Sequence, residues 1–183
     1  ADNLLATFSA LLAISNAESG QRLHSFEPLD PGQIARDVVE LYEPLAEEKG
    51  VGIACHADPN LSLDGDRHLM FQALANLVDN AVKYTPTGGS VAVTAAATPA
   101  GMEIAVADSG PGIPAEARER VLDRFVRLDA TRSTPGNGLG LSLVKAVARL
   151  HGATLSLGDN APGLRVNLLF AKPTGKAERT ANP

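Results

Sequence analysis

The sequence predicts an α+β fold: a two-layer sandwich in which one mixed, mostly antiparallel sheet is covered on one face by about three helices. Three observations predict it. Several segments carry helical periodicity between residues suited to start and stop a helix. The β-type runs cluster as a hairpin in mid-chain and a pair near the end. The order also lacks the strict β-α-β alternation of a doubly wound parallel sheet.

Residues 2–19 read as a helix, with Leu4, Leu5, Phe8, Leu11, Leu12 and Ser15 on one stripe at three-four spacing. A stripe this short is not stable alone and needs a partner helix, from this domain or from a second chain. Gly20 ends it. Residues 24–30 form a short extended segment. Asp30 as N-cap and Pro31 at the first helical position then begin a helix that runs to about Lys49, where Gly50 stops it. Residues 51–57 alternate like a strand, and 61–63 make a second, shorter one. Asp64 or Asp66 caps a helix from about Arg67 to Tyr84, whose buried side is Leu69, Phe71, Leu74, Leu77, Val78 and Ala81. Residues 90–98 and 102–107 form a hairpin around Pro99-Ala100-Gly101.

A glycine-rich break covers 108–114, and a short helix covers roughly 115–122. Residues 123–137 have no clean period, many charges and several breakers, so they read as a loop. Residues 139–150 are helical, and 153–157 and 164–170 are the final strands. The polar tail from Lys172 is expected to be disordered.

Bulk properties narrow the function classes. The 183 residues suffice for one domain with a core and a short appendage. A net charge of −5 argues against wholesale binding of nucleic-acid phosphates. The single cysteine, Cys55, excludes an internal disulfide and fits a reducing compartment. No run approaches membrane-spanning length, and no basic lead into an apolar stretch marks a signal peptide. Because the first residues already read as helix, the chain is expected to be a piece of a longer protein.

Four segments carry chemistry. In the first, Asn76, Asn80 and Lys83 lie four and three residues apart and share one helix face. An amide oxygen is a neutral hard ligand suited to Mg²⁺, and a lysine can neutralise phosphate nearby. A solvated helix face would look the same. In the second, Asp108-Ser109-Gly110-Pro111-Gly112-Ile113, an acid ends an apolar strand just before two glycines. A carboxylate there can accept from an exocyclic amine, and glycines allow close backbone approach to a flat ring; a plain turn would serve as well. The third is Arg124-Phe125-Val126-Arg127-Leu128, an aromatic among arginines that could reach phosphate, with Arg132 beyond. Asp123 and Asp129 could equally pair with those arginines. The fourth, Gly136-Asn137-Gly138-Leu139-Gly140-Leu141-Ser142, runs straight into a helix, where unpaired N–H groups can face an anion. It is neither the dinucleotide fingerprint nor a Walker loop, since the lysine and hydroxyl do not follow in the required places.

In this order, and with the string Asn76-Leu77-Val78-Asp79-Asn80-Ala81-Val82-Lys83-Tyr84-Thr85-Pro86, the four segments resemble the N, G1, F and G2 boxes of sensor histidine kinases. These kinases share an ATPase superfamily with gyrase and the heat-shock chaperones. The boxes span 76–142, and the flanking strand pattern extends the likeness to about 24–170. The resemblance implies ATP and Mg²⁺ as cofactors. It implies that Asn80 ligates the metal, that Asn76 orients the metal–phosphate group, and that Lys83 contacts phosphate; Asn76 and Lys83 are then the catalytic pair. Tyr84 would pack on the nucleotide and Asp108 would accept the adenine amine. Gly110, Gly112 and Ile113 would shape the base pocket. Phe125 would anchor a lid, Arg127 would reach the phosphates, and Gly136, Gly138, Leu139, Gly140 and Leu141 would form the phosphate side. Asn137 departs from the family, which often has a small hydroxyl residue there.

The resemblance further implies three parts: residues 1–20 as the end of a dimerisation hairpin, 21–171 as the ATP-binding catalytic domain, and 172–183 as a tail. The implied partners are a phosphoacceptor histidine hairpin of the same protein or its dimer mate, and a response regulator. The parent protein would be a homodimer, and this domain cytoplasmic. Hydrolysing relatives carry a glutamate where this chain has Asn76; an amide cannot act as a base toward water. A phosphoacceptor histidine is followed by an acid, whereas His24, His56, His68 and His151 precede Ser25, Ala57, Leu69 and Gly152. All four histidines are therefore expected to be structural or neutral, with His151 placed to favour positive charge at a helix C-terminus. Two other readings share the boxes: a regulatory nucleotide-binding module without transfer, and a serine kinase of the anti-sigma type.

Overall fold

The computed structural model describes residues 26–127 and 138–172, together with Leu12, Ile14 and Ser15, which are helical. The rest of the predicted first helix, Gly20, His24, the stretch 128–137 and the tail beyond Lys172 lie outside the described residues. Ile14, absent from the predicted stripe, is buried in the core, whereas Leu12, assigned to that stripe, is 48% exposed.

In chain order the elements are β1 (Glu27–Leu29), α1 (Pro31–Lys49), β2 (Gly52–Ala57), β3 (Leu63–Gly65), α2 (Arg67–Tyr84), β4 (Ser90–Thr98), β5 (Gly101–Asp108), two 3₁₀ turns (Ala115–Ala117 and Arg120–Leu122), α3 (Gly140–Leu150), β6 (Ala153–Asp159) and β7 (Leu164–Ala171). The main sheet has the order β2-β4-β5-β7-β6. Only the β2–β4 pair is parallel; the other neighbours run antiparallel. The predicted two-layer α+β sandwich is thus the observed one.

Local chemistry fixes the helix ends. Asp30 Oδ1 accepts from the N–H groups of Gly32 and Gln33, at 2.8 and 3.1 Å, and starts α1. Gly50, at φ +69°, ends it: its N–H donates to Glu47 O while the Val51 N–H donates to Ala46 O. Asp66, not Asp64, caps α2 by accepting from Leu69 N–H at 3.0 Å. Thr85, extended ahead of Pro86, ends it.

The core lies between the helices and one sheet face. Leu69, Leu74, Leu77, Val78 and Ala81 are buried on α2 as predicted, but Phe71 is only half-buried, and Met70, Ala73 and Val82 are buried as well. Opposite them lie Val91 and Val93 of β4, Ile104 and Val106 of β5, and Val166, Leu168 and Phe170 of β7. Burying each large aliphatic side chain contributes about 1.5–3 kcal/mol.

Two shorter features depart from the sequence reading. The second short strand lies at 63–65 rather than 61–63, because pairing with β1 sets its register: Leu29 opposite Leu63 and Glu27 opposite Gly65. The predicted short helix is two separate 3₁₀ turns, since so short a segment cannot offset helix nucleation.

Candidate functional site

The C-terminal half of α2 faces a cleft of about 200 Å³. Asn76, Asn80 and Lys83 line it on the shared helix face that their spacing predicts. Asn76 Nδ2 donates to Gln72 O at 2.8 Å, one turn back, which fixes the amide. Asp79 also lines the cleft. Sequence reasoning missed it, although it lies three residues after Asn76 and four before Lys83, a spacing that places it on the same side.

The cleft's charges act on one another. Burial pushes the Asp79 carboxyl up, with Lys83 opposing. Burial pushes the Lys83 ammonium down; Asp79 opposes this and Arg127 adds to it. Lys83 and Arg127 are therefore two cations facing one space. Lys83 Nζ also stands 5.5 Å from the Tyr84 ring centroid, a cation–π contact. On α1, burial together with the charge of Asp79 raises the Tyr42 hydroxyl to about 12, so it stays protonated.

The opposite end of the cleft is apolar. Val106 of β5, Leu164 and Val166 of β7, and Val121 give it walls that the sequence reading had placed only in two strands and a short helix. At this end Asp108 closes β5. Its Oδ1 accepts from Gly110 N–H at 2.8 Å and from Leu164 N–H at 3.3 Å. No hydrogen bond among the described residues ends on Oδ2. Burial pushes this carboxyl up, and the two N–H groups oppose the shift. Gly112 and Ile113 line the cleft; Gly110 instead shapes it from behind, where a side chain would crowd Asp108 and the Tyr84 carbonyl.

The third wall is the start of α3. Its N-cap residue, Leu139, has an apolar side chain that makes no capping bond, and Leu143 N–H donates to Leu139 O at 3.0 Å. Gly140 and Leu141 line the cleft, and a Cβ at Gly140 would stand 3.0 Å from Asn76 Oδ1, so glycine lets the helix start approach Asn76 without displacing its amide. Leu139, predicted to bind nucleotide, is instead fully buried beneath that start and does not line the cleft; an apolar side chain at a helix entry is drawn into the core. Gly136 and Asn137 lie outside the described residues.

Phe125 corrects another expectation. Its ring is 60% exposed, so the ring is not the anchor of the neighbouring segment. Its backbone is: Phe125 N–H donates to Gly138 O at 2.9 Å, and a Cβ on Gly138 would stand 2.9 Å from the Phe125 carbonyl carbon. Val126, Arg127 and Gly138 reach the cleft from this junction.

One cleft thus joins two amides, two cations, the Asp79 carboxylate and a helix start to a second carboxylate, Asp108, with one uncommitted oxygen. Comparison with known proteins follows the same lines. The profile of the histidine kinase-, DNA gyrase B- and HSP90-like ATPases matches residues 65–174. The sensor-like histidine kinase SenX3 of Mycobacterium tuberculosis is 36% identical over 165 residues, covering 89% of this chain and 40% of that protein. The signal transduction histidine-protein kinase/phosphatase MprB of Mycobacterium leprae is 37% identical over 159 residues, covering 85% of this chain and 29% of its own length. This chain therefore spans well under half of these relatives. Among solved structures, a mycobacterial sensor histidine kinase MprB superposes with a TM-score of 0.70 at 32% identity, covering 80% of this chain and 97% of that one. Full-length ShkA in complex with AMPPNP gives 0.76 at 32% identity, covering 94% of this chain and 37% of that one.

Proposed function

Because the chain belongs to the histidine kinase-, DNA gyrase B- and HSP90-like ATPases, as an ATP-binding catalytic domain of the sensor histidine kinase type, we propose that it binds Mg-ATP and transfers the γ-phosphoryl to a histidine on a separate dimerisation hairpin. The carrying observation is the two-ended cleft. Lys83 and Arg127 both border the cleft, so phosphate oxygens there would meet two cations, and the start of α3, where Gly140 reaches the cleft, can present backbone N–H groups to the same anion. At the other end, apolar walls and the carboxylate of Asp108 suit a flat base that bears an amine.

In this reading the Asn80 amide oxygen is the protein's own ligand to Mg²⁺, and Asn76 braces the helix start over the phosphates. Lys83 and Arg127 hold the phosphate oxygens, and Asp108 accepts the adenine amine. Tyr84, Gly112, Ile113, Gly138, Gly140 and Leu141 shape the space around the nucleotide. Bound Mg-ATP supplies the phosphoryl group and the metal charge that offsets phosphate repulsion. The protein's own contribution is positioning and charge stabilisation. The partners are a phosphoacceptor hairpin, a response regulator and, through residues 1–20 as the end of that hairpin, a second copy of the parent protein.

The test supplies a histidine hairpin as a separate piece, with labelled ATP and Mg²⁺. Tethering normally raises local concentration to about millimolar, so the hairpin has to be in high concentration. Acid-labile label on the hairpin is the expected result. Acid-stable label would point to the serine kinase, and binding without transfer to the regulatory module.

A further inference from the structure

Asp108, the last residue of β5, begins a loop, 108–113, that lines the cleft and beyond Asp108 has no regular structure of its own. A base pocket needs such a loop held still, because a carboxylate that turns about its side-chain bonds presents a different oxygen. Ser109 ties its first turn to β4, donating its N–H to Ser90 O at 3.0 Å and accepting from Ser90 N–H on Oγ at 2.8 Å; both ends of the loop are tied to the turn between β6 and β7.

That turn grips the loop at three points. At the first, Asn160 Nδ2 donates to Asp108 O at 2.8 Å while Leu164 N–H donates to Asp108 Oδ1. Asn160 is itself set by its own N–H, which donates to Gly163 O at 3.1 Å and closes the turn. At the second, Gly163 packs against the loop backbone so closely that a Cβ there, at φ +113°, would collide with Asp108 O; a Cβ on Gly112 would stand 2.9 Å from Gly163 O. At the third, Arg118 bridges: Nε donates to Ile113 O at 3.0 Å, and a terminal nitrogen meets Asp159 Oδ1, at the end of β6, at 2.5 Å. Both ends of the loop, Asp108 and Ile113, are thus tied to two adjacent residues, Asp159 and Asn160.

We propose that Asn160 and Arg118 are positioning residues for base selection: through the β6–β7 turn they hold the 108–113 loop so that Asp108 Oδ2 alone faces the cleft. The proposal rests on the reading that Asp108 accepts the adenine amine. Neither side chain touches the nucleotide; each acts through a backbone carbonyl. An amine-bearing purine donates to a fixed Oδ2. A purine with a carbonyl at that position sets oxygen against oxygen, and the fixed carboxylate cannot turn away. With either tie removed, the backbone beneath Asp108 can shift and carry the carboxylate off its aim, so the better-matched base loses more than the worse.

The experiment measures ATP and GTP affinities by calorimetry, with Mg²⁺, on the wild-type chain, Asn160→Ala and Arg118→Met. Asn160 is exposed, and Arg118→Met keeps an apolar stem, so neither change removes core; melting curves check this. The wild type should prefer ATP at least about tenfold. Each variant should lower the ATP-to-GTP ratio by about three- to tenfold, through ATP, and the double variant should lower it further. The Mg²⁺ response should not move, because the metal end lies on α2. A merely structural role would lower the melting temperature or weaken both nucleotides equally, and either result with an unchanged ratio overturns the proposal. A wild type that binds ATP and GTP equally would instead bring down the assignment of Asp108 itself.

Discussion

Asn76 and Asn80 are the same residue type on the same helix face, yet their surroundings divide their work. Asn76 spends its amide nitrogen on Gln72 O, and its oxygen packs against Gly140. Among the described residues Asn80 makes no such tie, so its amide can turn its oxygen to a cation that takes its remaining ligands from phosphate and water. Asn80→Ala is therefore predicted to abolish most of the rise in ATP affinity that Mg²⁺ brings, with the melting temperature nearly unchanged. Titrations with and without Mg²⁺ check this; a variant that keeps the full Mg²⁺ response would reduce Asn80 to a bystander.

At the scale of elements, α2 is held at both ends by residues outside it. At its C-terminus Lys49 Nζ donates to the carbonyls of Val82 and Lys83, at 2.8 and 2.5 Å, beside Lys83 and Tyr84 of the cleft. A cation there satisfies unpaired carbonyls and complements the helix dipole. Lys49→Met should cost about 1–2 kcal/mol, seen as a melting temperature lower by about 2–8 °C, and should weaken ATP binding as well.

At the N-terminus of α2, His151 Nε2 accepts from Asp66 N–H at 3.0 Å while Nδ1 donates to Val147 O at 2.8 Å. Its ring stacks on Phe26, centroids 4.8 Å apart. That pattern requires the neutral ring, and burial lowers its pKa from 6.5, against the opposing pull of Val147 O and the Asp66 carboxylate. The expectation of a favoured positive charge is thus reversed: the helix C-terminus attracts charge, but desolvation outweighs it. With the folded pKa below the unfolded one, the unfolded chain binds more protons. The stability that the neutral ring contributes is full above about pH 6.5 and is lost as pH falls through the folded value. Thermal melts from pH 7.5 to 5 should show a steeper acid loss in the wild type than in His151→Gln; parallel curves would refute it.

The whole molecule sets where a phosphoryl group could go. α2 and α3 lie antiparallel, with Asn76 and Asn80 against Gly140 at one end and Asp66 against His151 at the other. His68 sits about 18 Å along α2 from Asn80, and His151 about 16 Å along α3 from Gly140. Neither can meet a phosphate end built at residues 76–83 and 140. The chain is therefore predicted not to label itself with radioactive ATP. Hydrolysis should also be very slow: Asn76 cannot act as a base, and Asp79, the carboxylate beside it, faces Lys83. Strong self-labelling that survives replacement of all four histidines would place the acceptor on another residue type.

The sequence by itself determined the ends of α1, the span of α2 though not which aspartate caps it, the central hairpin and the α+β class. Each of these follows from short-range rules: Asp30 and Gly50 act on their own turns, and apolar spacing reports which face a single element buries. The resemblance its motifs carry also placed Asn76, Asn80, Lys83, Tyr84, Asp108, Gly112, Ile113, Arg127, Gly138, Gly140 and Leu141 in one group, and the structure gathers them around one cleft. Only the tertiary structure decided which apolar residues border the cleft. Val106 and Val166 are buried in the core and border it as well, while Leu139 sits inside a glycine-rich motif yet is buried away from it. It alone decided the neutral state of His151 and the grip of Asn160 on Asp108, residues 52 apart in the chain. The reason is physical: periodicity and caps record what a residue does to its own element, whereas a cleft, a buried ring and a braced loop exist only where separate elements meet.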